Sequence, residues 1–251
     1  MSLQLRNLTA HRGRFELKIE DLQFAAGALH SVVGANGAGK SSLFAALSGE
    51  LAYRGDVDLH DVALRDWPSL ERARHLGVLP QQVQLNFPFT ALEVVELGLT
   101  PLSVGWREGR RLARDMLRRT DCLELTDSLF PSLSGGQKQR VNLARVLLQL
   151  SQARAAPVLL LDEPTSAQDL GHQHEVLRLA KSLAIEQGYL VLAILHDLNQ
   201  ALRYADHCVL LDQGQLVATG APNQVLDASR VARYWGYRPR VAVVDGIAVL
   251  A

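Results

Sequence analysis

The chain has 251 residues, a length that suits one large domain or one domain with an inserted subdomain. Its 26 basic and 26 acidic side chains balance, so no global charge draws it to nucleic acid, and we expect no nucleic-acid partner. With 48% hydrophobic and 21% charged residues, a disordered, collagenous or coiled-coil chain is excluded.

Two further features of the sequence concern its compartment. No apolar stretch approaches the roughly 20 residues that a membrane-spanning helix requires, and the first ten residues lack the pattern of a secretory signal. The two cysteines, Cys122 and Cys208, form no CxxC pair, which argues against a disulfide scaffold or a zinc site. We therefore expect a cytosolic protein with two buried, inert thiols.

Short apolar segments separated by turn formers open the chain and predict strands over residues 3–8, 15–19 and 29–33. Two later runs, 158–161 and 189–195, are uninterrupted apolar stretches of strand length. Such runs are typical of parallel strands that helices cover on both faces. The sequence therefore predicts an α/β core.

From about residue 89 to 153 the strand signals end and helical periodicity takes over, which predicts an inserted helical subdomain. A run of arginines in this segment favours a solvated helix face over a binding patch. The run consists of Arg107, Arg110, Arg111, Arg114, Arg118 and Arg119. Near the end, 241–244 and 247–250 flank Asp245-Gly246, which predicts a hairpin with a type I′ turn.

A glycine-rich loop follows the third predicted strand. Residues 34–41 read GANGAGKS and match G-x-x-x-x-G-K-[ST] at every fixed position, ahead of a predicted helix. Glycines allow backbone N–H groups to point inward at phosphate oxygens, Lys40 adds a charge for the β and γ phosphates, and Ser41 can bind Mg²⁺. The sequence therefore predicts a site for ATP and Mg²⁺. Its binding residues are Gly34, Ala35, Asn36, Gly37, Ala38, Gly39, Lys40, Ser41 and Ser42.

A second acidic motif closes the apolar run 158–161, where the sequence continues with Asp162-Glu163. Open α/β sheets bind ligands at the carboxyl ends of their strands, so Asp162 suits the Mg²⁺ shell. Glu163 is one acid more than the metal requires. We predict that it is the general base that polarises the attacking water.

A third motif, LSGGQ at residues 133–137, precedes a helical run. It offers a helix N-terminus to an anion, yet no second lysine loop accompanies it, which suggests that the anion belongs to a second copy across a two-fold axis. An ordinary serine-capped helix would be the preferred interpretation if the motif stood alone. Its residues assigned to nucleotide binding are Ser134, Gly135, Gly136 and Gln137.

Taken in order, the three motifs resemble those of the ATP-binding cassette (ABC) ATPases of membrane transporters, along nearly the whole chain. The resemblance implies that Gln81 senses Mg²⁺ and the γ phosphate, and that His196 contacts the γ phosphate. It also implies that Asp169 belongs to a conserved dimer loop, in which Gln168 stands where the family usually has leucine. The family's adenine-stacking aromatic should lie near residues 9–11, where His11 or a side chain elsewhere must substitute.

The resemblance also implies the architecture, a P-loop NTPase (RecA-like) core with an N-terminal antiparallel β-subdomain and an inserted helical subdomain. Its boundaries would assign 1–88 and 154–220 to the nucleotide-binding core with its β-subdomain. The helical subdomain with LSGGQ would be 89–153, and a C-terminal helix and hairpin would be 221–251.

Within the family, residues 86–98, 120–125, 150–157 and 196–206 resemble the ATPase subunits of haem (hemin) importers. This likeness implies a homodimer that energises two integral membrane permease subunits, served indirectly by a periplasmic substrate-binding protein. The location would be the cytoplasmic face of the bacterial inner membrane. Cobalamin or ferric siderophores are the alternative cargoes.

Two other classes of function share part of the pattern. A soluble cassette ATPase acting on DNA or ribosomes usually adds coiled coils, a tandem cassette or basic arms, which this sequence lacks. A P-loop kinase would have no use for LSGGQ.

Two smaller patterns complete the predictions. Phe87, Pro88 and Phe89 form a short apolar group that we expect to contact a partner, the alternative being burial in the subdomain's own core. His172 and His174 lie two positions apart and cannot share a helix face, so we expect surface histidines rather than a metal-binding pair.

Overall fold

The computed structural model describes residues 2–81, 85, 87–166, 169–244 and 246–251. Over them the chain divides into two units, residues 1–66 with 180–251 and residues 67–179. Among the described residues, none of the helices combines the length and the apolar character needed to cross a bilayer.

Strands and helices alternate along most of the chain, which confirms the predicted α/β class. The strands are β1 (Ser2–Arg12), β2 (Phe15–Ala25), β3 (Ala28–Val33), β4 (Tyr53–Leu59), β5 (Val62–Ala63), β6 (Leu76–Leu79), β7 (Val158–Asp162), β8 (Leu190–Ile194), β9 (His207–Asp212), β10 (Gln215–Gly220), β11 (Val241–Val244) and β12 (Ile247–Leu250). The helices are α1 (Lys40–Ser48), α2 (Ser69–His75), α3 (Ala91–Glu96), α4 (Trp106–Arg119), α5 (Gly135–Leu150), α6 (Leu170–Gln187), α7 (Leu198–Tyr204), α8 (Pro222–Val225) and α9 (Ala228–Trp235).

In the first unit, the strand order is β5-β4-β1-β2-β10-β9-β3-β8. The N-terminal strands pair antiparallel, β1 with both β2 and β4, whereas β3 pairs parallel with both β8 and β9. Every residue of β3 and β8 is buried, as their continuous apolar character predicts. The expected N-terminal antiparallel sheet and parallel core strands are therefore both present.

In the second unit, β6 and β7 pair parallel and α5 packs on β6. Gly77 permits the close packing, because a Cβ there would lie 2.6 Å from the Val146 side chain. Helices α3, α4 and α5 pack on one another, and between residues 91 and 150, all of them described, the chain forms no strand. The arginines of α4 include Arg111, which pairs with Glu108 and Asp115 on the exposed face, as a solvated surface predicts.

The predicted C-terminal hairpin is present as β11 and β12, which form a separate two-stranded sheet. The Asn199 side chain at the start of α7 anchors it, donating to the Leu250 carbonyl at 3.0 Å and accepting from the Leu250 N–H at 2.8 Å. Asp245 lies outside the described residues, so the type I′ turn stays a prediction.

Both cysteines are fully buried, as expected. Burial raises the pKa of the Cys208 thiol to about 11, and burial also raises the pKa of Cys122. Neither thiol is therefore an effective nucleophile at neutral pH.

Candidate functional site

The glycine-rich loop connects β3 to α1 and depends on backbone conformations that favour glycine. Gly34, Gly37 and Gly39 have φ angles of 152°, 79° and 104°. At Gly34 the space is closed as well, because a Cβ would lie 2.2 Å from the Leu211 carbonyl oxygen. The loop leads directly into α1, whose N-cap residue is Gly39. The geometry thus presents a helix N-terminus, a position that favours anions.

Lys40 is only 6% exposed, and its charge lies within the turn of the loop. Its Nζ donates to the carbonyl oxygens of Gly34, at 2.7 Å, and Ala35, at 3.0 Å. A buried ammonium needs such partners, because desolvation would otherwise favour the neutral amine. The loop therefore has the helix N-terminus, the backbone freedom and the cation that a phosphate chain requires.

The other predicted loop residues differ in exposure. Asn36, Gly37 and Ser41 are exposed, Ala35 is half-buried, and Ala38, Gly39 and Ser42 are buried. Ser41 thus offers its hydroxyl at the surface, whereas Ser42 lies within the unit.

His196 belongs to the same unit as the loop and follows β8, the parallel neighbour of β3. Since Val32 pairs with Ile194, the loop and His196 both leave the carboxyl end of this strand pair. The His196 side chain is exposed. Asp197 next to it caps α7 by accepting from the N–H groups of Asn199 and Gln200, which fixes the backbone beside the histidine.

An aromatic residue outside the predicted segment 9–11 lies against the loop. Phe15 begins β2, and a Cβ built on Gly39 would lie 3.0 Å from its Cζ atom. His11, by contrast, is exposed, with its Nε2 3.6 Å from a Glu16 carboxylate oxygen. The family resemblance pointed to the end of the first strand, with a side chain elsewhere as the alternative. The β1–β2 hairpin, which pairs Arg12 with Phe15, is the feature that brings this aromatic ring to the loop.

In the second unit, Gln81 and Glu163 are brought together. They follow the parallel strands β6 and β7, which end side by side with Leu79 opposite Leu161. The Gln81 Nε2 donates to a Glu163 carboxylate oxygen at 2.5 Å. Asp162, the last residue of β7, is half-buried beside them.

The backbone of Glu163 adopts a left-handed conformation, with φ 52°, which is uncommon outside glycine. Its carbonyl oxygen accepts three hydrogen bonds from Ser166 and Gln139, counted among the described residues. Ser166 donates from its N–H at 3.0 Å and from its hydroxyl at 2.9 Å, and the buried Gln139 of α5 donates from Nε2 at 3.2 Å. Strained conformations of this kind persist where surrounding contacts hold them, often at functional sites. Sequence reasoning gave no indication of Gln139.

The LSGGQ segment begins α5 and lies at the surface. Ser134 is the N-cap, accepting from the Gln137 N–H at 3.2 Å, while the Gln137 side chain accepts from the Ser134 N–H at 2.9 Å. This capping box shows that the motif acts as an ordinary serine-capped helix start within one chain. Gly135 is exposed and Gly136 half-buried in the first turn, where N–H groups have no partner inside the helix. An anion could therefore still bind there.

Asp169 is exposed and precedes α6, while Gln168 lies outside the described residues. The Asp169 carboxylate accepts a hydrogen bond from the His172 N–H at 3.0 Å. It also contacts the His172 Nδ1 at 2.8 and 2.9 Å. The His172 N–H, followed by the His172 side chain, holds the pKa of Asp169 below its usual value. Asp169 is thus ionised and positioned at the start of the helix.

Comparisons with known proteins identify the family. The sequence model of the ABC transporter family matches residues 17–166. The hemin import ATP-binding protein HmuV of Vibrio cholerae serotype O1 is 48% identical over 243 residues, which cover 96% of this chain and 94% of that protein.

Two solved structures extend the comparison. The chain of cbiO1 from Clostridium perfringens, part of the ABC transporter complex cbiONQ, has a TM-score of 0.77 at 27% identity, with 92% of each chain covered. The ATP-binding cassette MJ0796, a dimer in a post-hydrolysis state bound to ADP and Pi, has a TM-score of 0.75 at 27% identity, covering 88% of this chain and 98% of that one.

Proposed function

This chain belongs to the ABC transporter family and is an ATPase, and we propose that it is the ATP-hydrolysing subunit of a bacterial importer of hemin. The assignment of hemin as the cargo rests on the 48% identity, over 96% of the chain, to a hemin import ATP-binding protein. The loop with its buried Lys40 supports the ATP-binding part of the proposal.

ATP binds through its phosphates to the loop at residues 34–41. The N–H groups at the start of α1 and the Lys40 ammonium bind the negatively charged phosphates. The glycines, which lack side chains, allow the phosphate oxygens to approach the backbone closely. We assign Phe15, instead of His11, as the aromatic that positions the nucleotide beside the loop.

Mg²⁺ suits the donors that Ser41, Gln81 and Asp162 offer, since all are oxygen ligands of the kind this ion prefers. When bound, it neutralises charge on the phosphate oxygens. Glu163 accepts the proton of the attacking water, and His196 donates to the γ phosphate. Gln81 holds the Glu163 carboxylate until water takes its place.

A second copy of the chain completes each site. The first turn of α5, from Ser134 to Gln137, faces the γ phosphate held by the partner, and Asp169 contributes to the same contact. ATP then binds both copies together, and hydrolysis releases them. The cycle shifts the dimer between closed and open states because ATP has a greater affinity for the closed one.

The dimer works on two integral membrane permease subunits at the cytoplasmic face of the inner membrane, with a periplasmic substrate-binding protein delivering cargo. The contact surface lies at the segment after Gln81. Phe87 there is 67% exposed and its ring centroid lies 6.1 Å from that of Phe89, so the two rings form an apolar group that supports a partner site.

Reconstitution tests this proposal. The chain is purified with its membrane partner, placed in vesicles, and assayed for ATP hydrolysis with hemin, cobalamin or a ferric siderophore loaded on the binding protein. We expect stimulation by hemin alone. Stimulation by another cargo would reassign the substrate, and failure to copurify with any integral membrane protein would favour the soluble ATPase alternative.

A further inference from the structure

A histidine and two carboxylates converge in the second unit, outside the nucleotide site. Asp121 lies in the turn after α4, while His172 and Glu175 lie one turn apart on α6. One potential ligand atom from each lies within 4.8 Å of the others. Ligands of a tetrahedral Zn²⁺ site are about 3.3 Å apart, given Zn–N and Zn–O bonds of about 2.0 Å. Small side-chain rotations would therefore bring these three atoms to ligand spacing.

The histidine already has the hydrogen bond that metal-binding histidines commonly make. Its Nδ1 contacts the Asp169 carboxylate at 2.8 and 2.9 Å, and its Nε2 is 4.0 Å from a Glu175 carboxylate oxygen. In metal sites, the ring nitrogen that does not bind the ion usually donates to a carboxylate, which fixes the tautomer and the ring orientation. Asp169 fills that position for His172.

The backbone supports the same arrangement on both elements. Asp121 has φ 53°, and its N–H donates to the Arg118 carbonyl, so the turn is defined by its own hydrogen bonds. On α6, residues three apart share a face, which places His172 and Glu175 together.

The surrounding charge limits the affinity. Arg119 and Arg140 line the same cavity as Asp121 and Glu175, a space of about 290 Å³. Their positive charge partly offsets the carboxylates, so we expect weaker binding than at a closed structural zinc site. The imidazole nitrogen favours a transition-metal ion over Mg²⁺, which prefers oxygen ligands alone.

We propose that Asp121, His172 and Glu175 bind a first-row transition-metal dication such as Zn²⁺, with Asp169 as the positioning residue for His172. The ion would link the turn after α4 to the first two turns of α6.

Titration calorimetry with Zn²⁺ tests the site on the full chain, without a polyhistidine tag and without nucleotide or Mg²⁺. We expect one ion per chain, a rise in melting temperature with added Zn²⁺, and no comparable binding of Mg²⁺. His172→Ala should weaken binding at least about 10-fold, the scale that loss of a site residue produces. Asp121→Asn should also weaken it, and asparagine tolerates the left-handed backbone of this turn.

His174→Ala is the matched control, because it removes a histidine of the same helix two positions away and should leave Zn²⁺ affinity unchanged. Equal loss in both histidine variants, or unchanged affinity in His172→Ala, would overturn the proposal. Circular dichroism checks that each variant is folded. If His172→Ala unfolds, Glu175→Gln tests the site instead. Unchanged Zn²⁺ affinity in that variant would overturn the proposal.

Discussion

Gln81 donates a hydrogen bond to the carboxylate of Glu163, across two strands that end side by side. The contact joins the residue expected to sense the γ phosphate to the residue expected to activate water. The amide engages one oxygen of the carboxylate and so orients the base beside Gln81. The assignment of Glu163 as base leads to the first prediction.

Glu163→Gln should bind ATP normally and hydrolyse it at least about 100-fold more slowly, the usual contribution of a general base. Because ATP binding is spared while the hydrolysis that releases the two copies is blocked, this variant should accumulate as an ATP-bound dimer, visible by size-exclusion chromatography. Nucleotide binding and phosphate release are measured on the same preparation. Turnover close to that of the unmodified chain would remove Glu163 from this role.

Ser134→Arg should abolish hydrolysis while ATP binding to the monomer remains largely intact, since a bulky cation would replace the hydroxyl at the N-terminus facing the partner's phosphate. The substitution also removes the capping box with Gln137. Ser134→Ala is therefore the control, and it should cost about 1 kcal/mol of stability through the lost cap. An active monomer of the arginine variant would contradict the shared site.

Phe87→Ser should lower binding to the membrane subunits and leave the ATPase activity of the isolated dimer intact, because the Phe87 ring is exposed. Phe89 is less suitable for this test. It is half-buried, and its carbonyl accepts from the Phe130 N–H at 2.7 Å. Copurification with the permease measures the effect. Normal docking with lost isolated activity would assign Phe87 to the catalytic unit instead.

Phe15→Ala should weaken ATP binding by about 10-fold, within the range that loss of an aromatic contact to a base produces. His11→Ala should leave the affinity unchanged, since that side chain faces Glu16 at the surface. Fluorescence titration with an ATP analogue compares the two variants. A larger loss of ATP affinity in His11→Ala than in Phe15→Ala would assign the adenine contact to His11.

The strands and the glycine-rich loop were predictable because each depends on nearby residues. Hydrophobic runs determined β3 and β8, and the spacing of the three glycines determined the loop. The approach of Phe15 to Gly39 was not predictable, because it depends on how two strands pair.

The contact of Gln139 with the Glu163 carbonyl could not have been predicted either. It joins residues 24 positions apart through one buried side chain, and no periodicity of the sequence encodes it. Long-range polar contacts of this kind depend on packing that only the folded chain defines.

In the proposed dimer, the contact between Gln139 and Glu163 would couple the two bound ATP molecules. Gln139 lies on the helix that begins at LSGGQ. In the proposed dimer, the helix presented to one nucleotide would therefore also hold the backbone of the residue assigned to act on the other. A displacement of α5 by the partner's nucleotide would loosen the backbone of Glu163 and change the position of its carboxylate. Each catalytic residue would then respond to the nucleotide that its own chain does not bind, and hydrolysis by the dimer would depend cooperatively on ATP concentration.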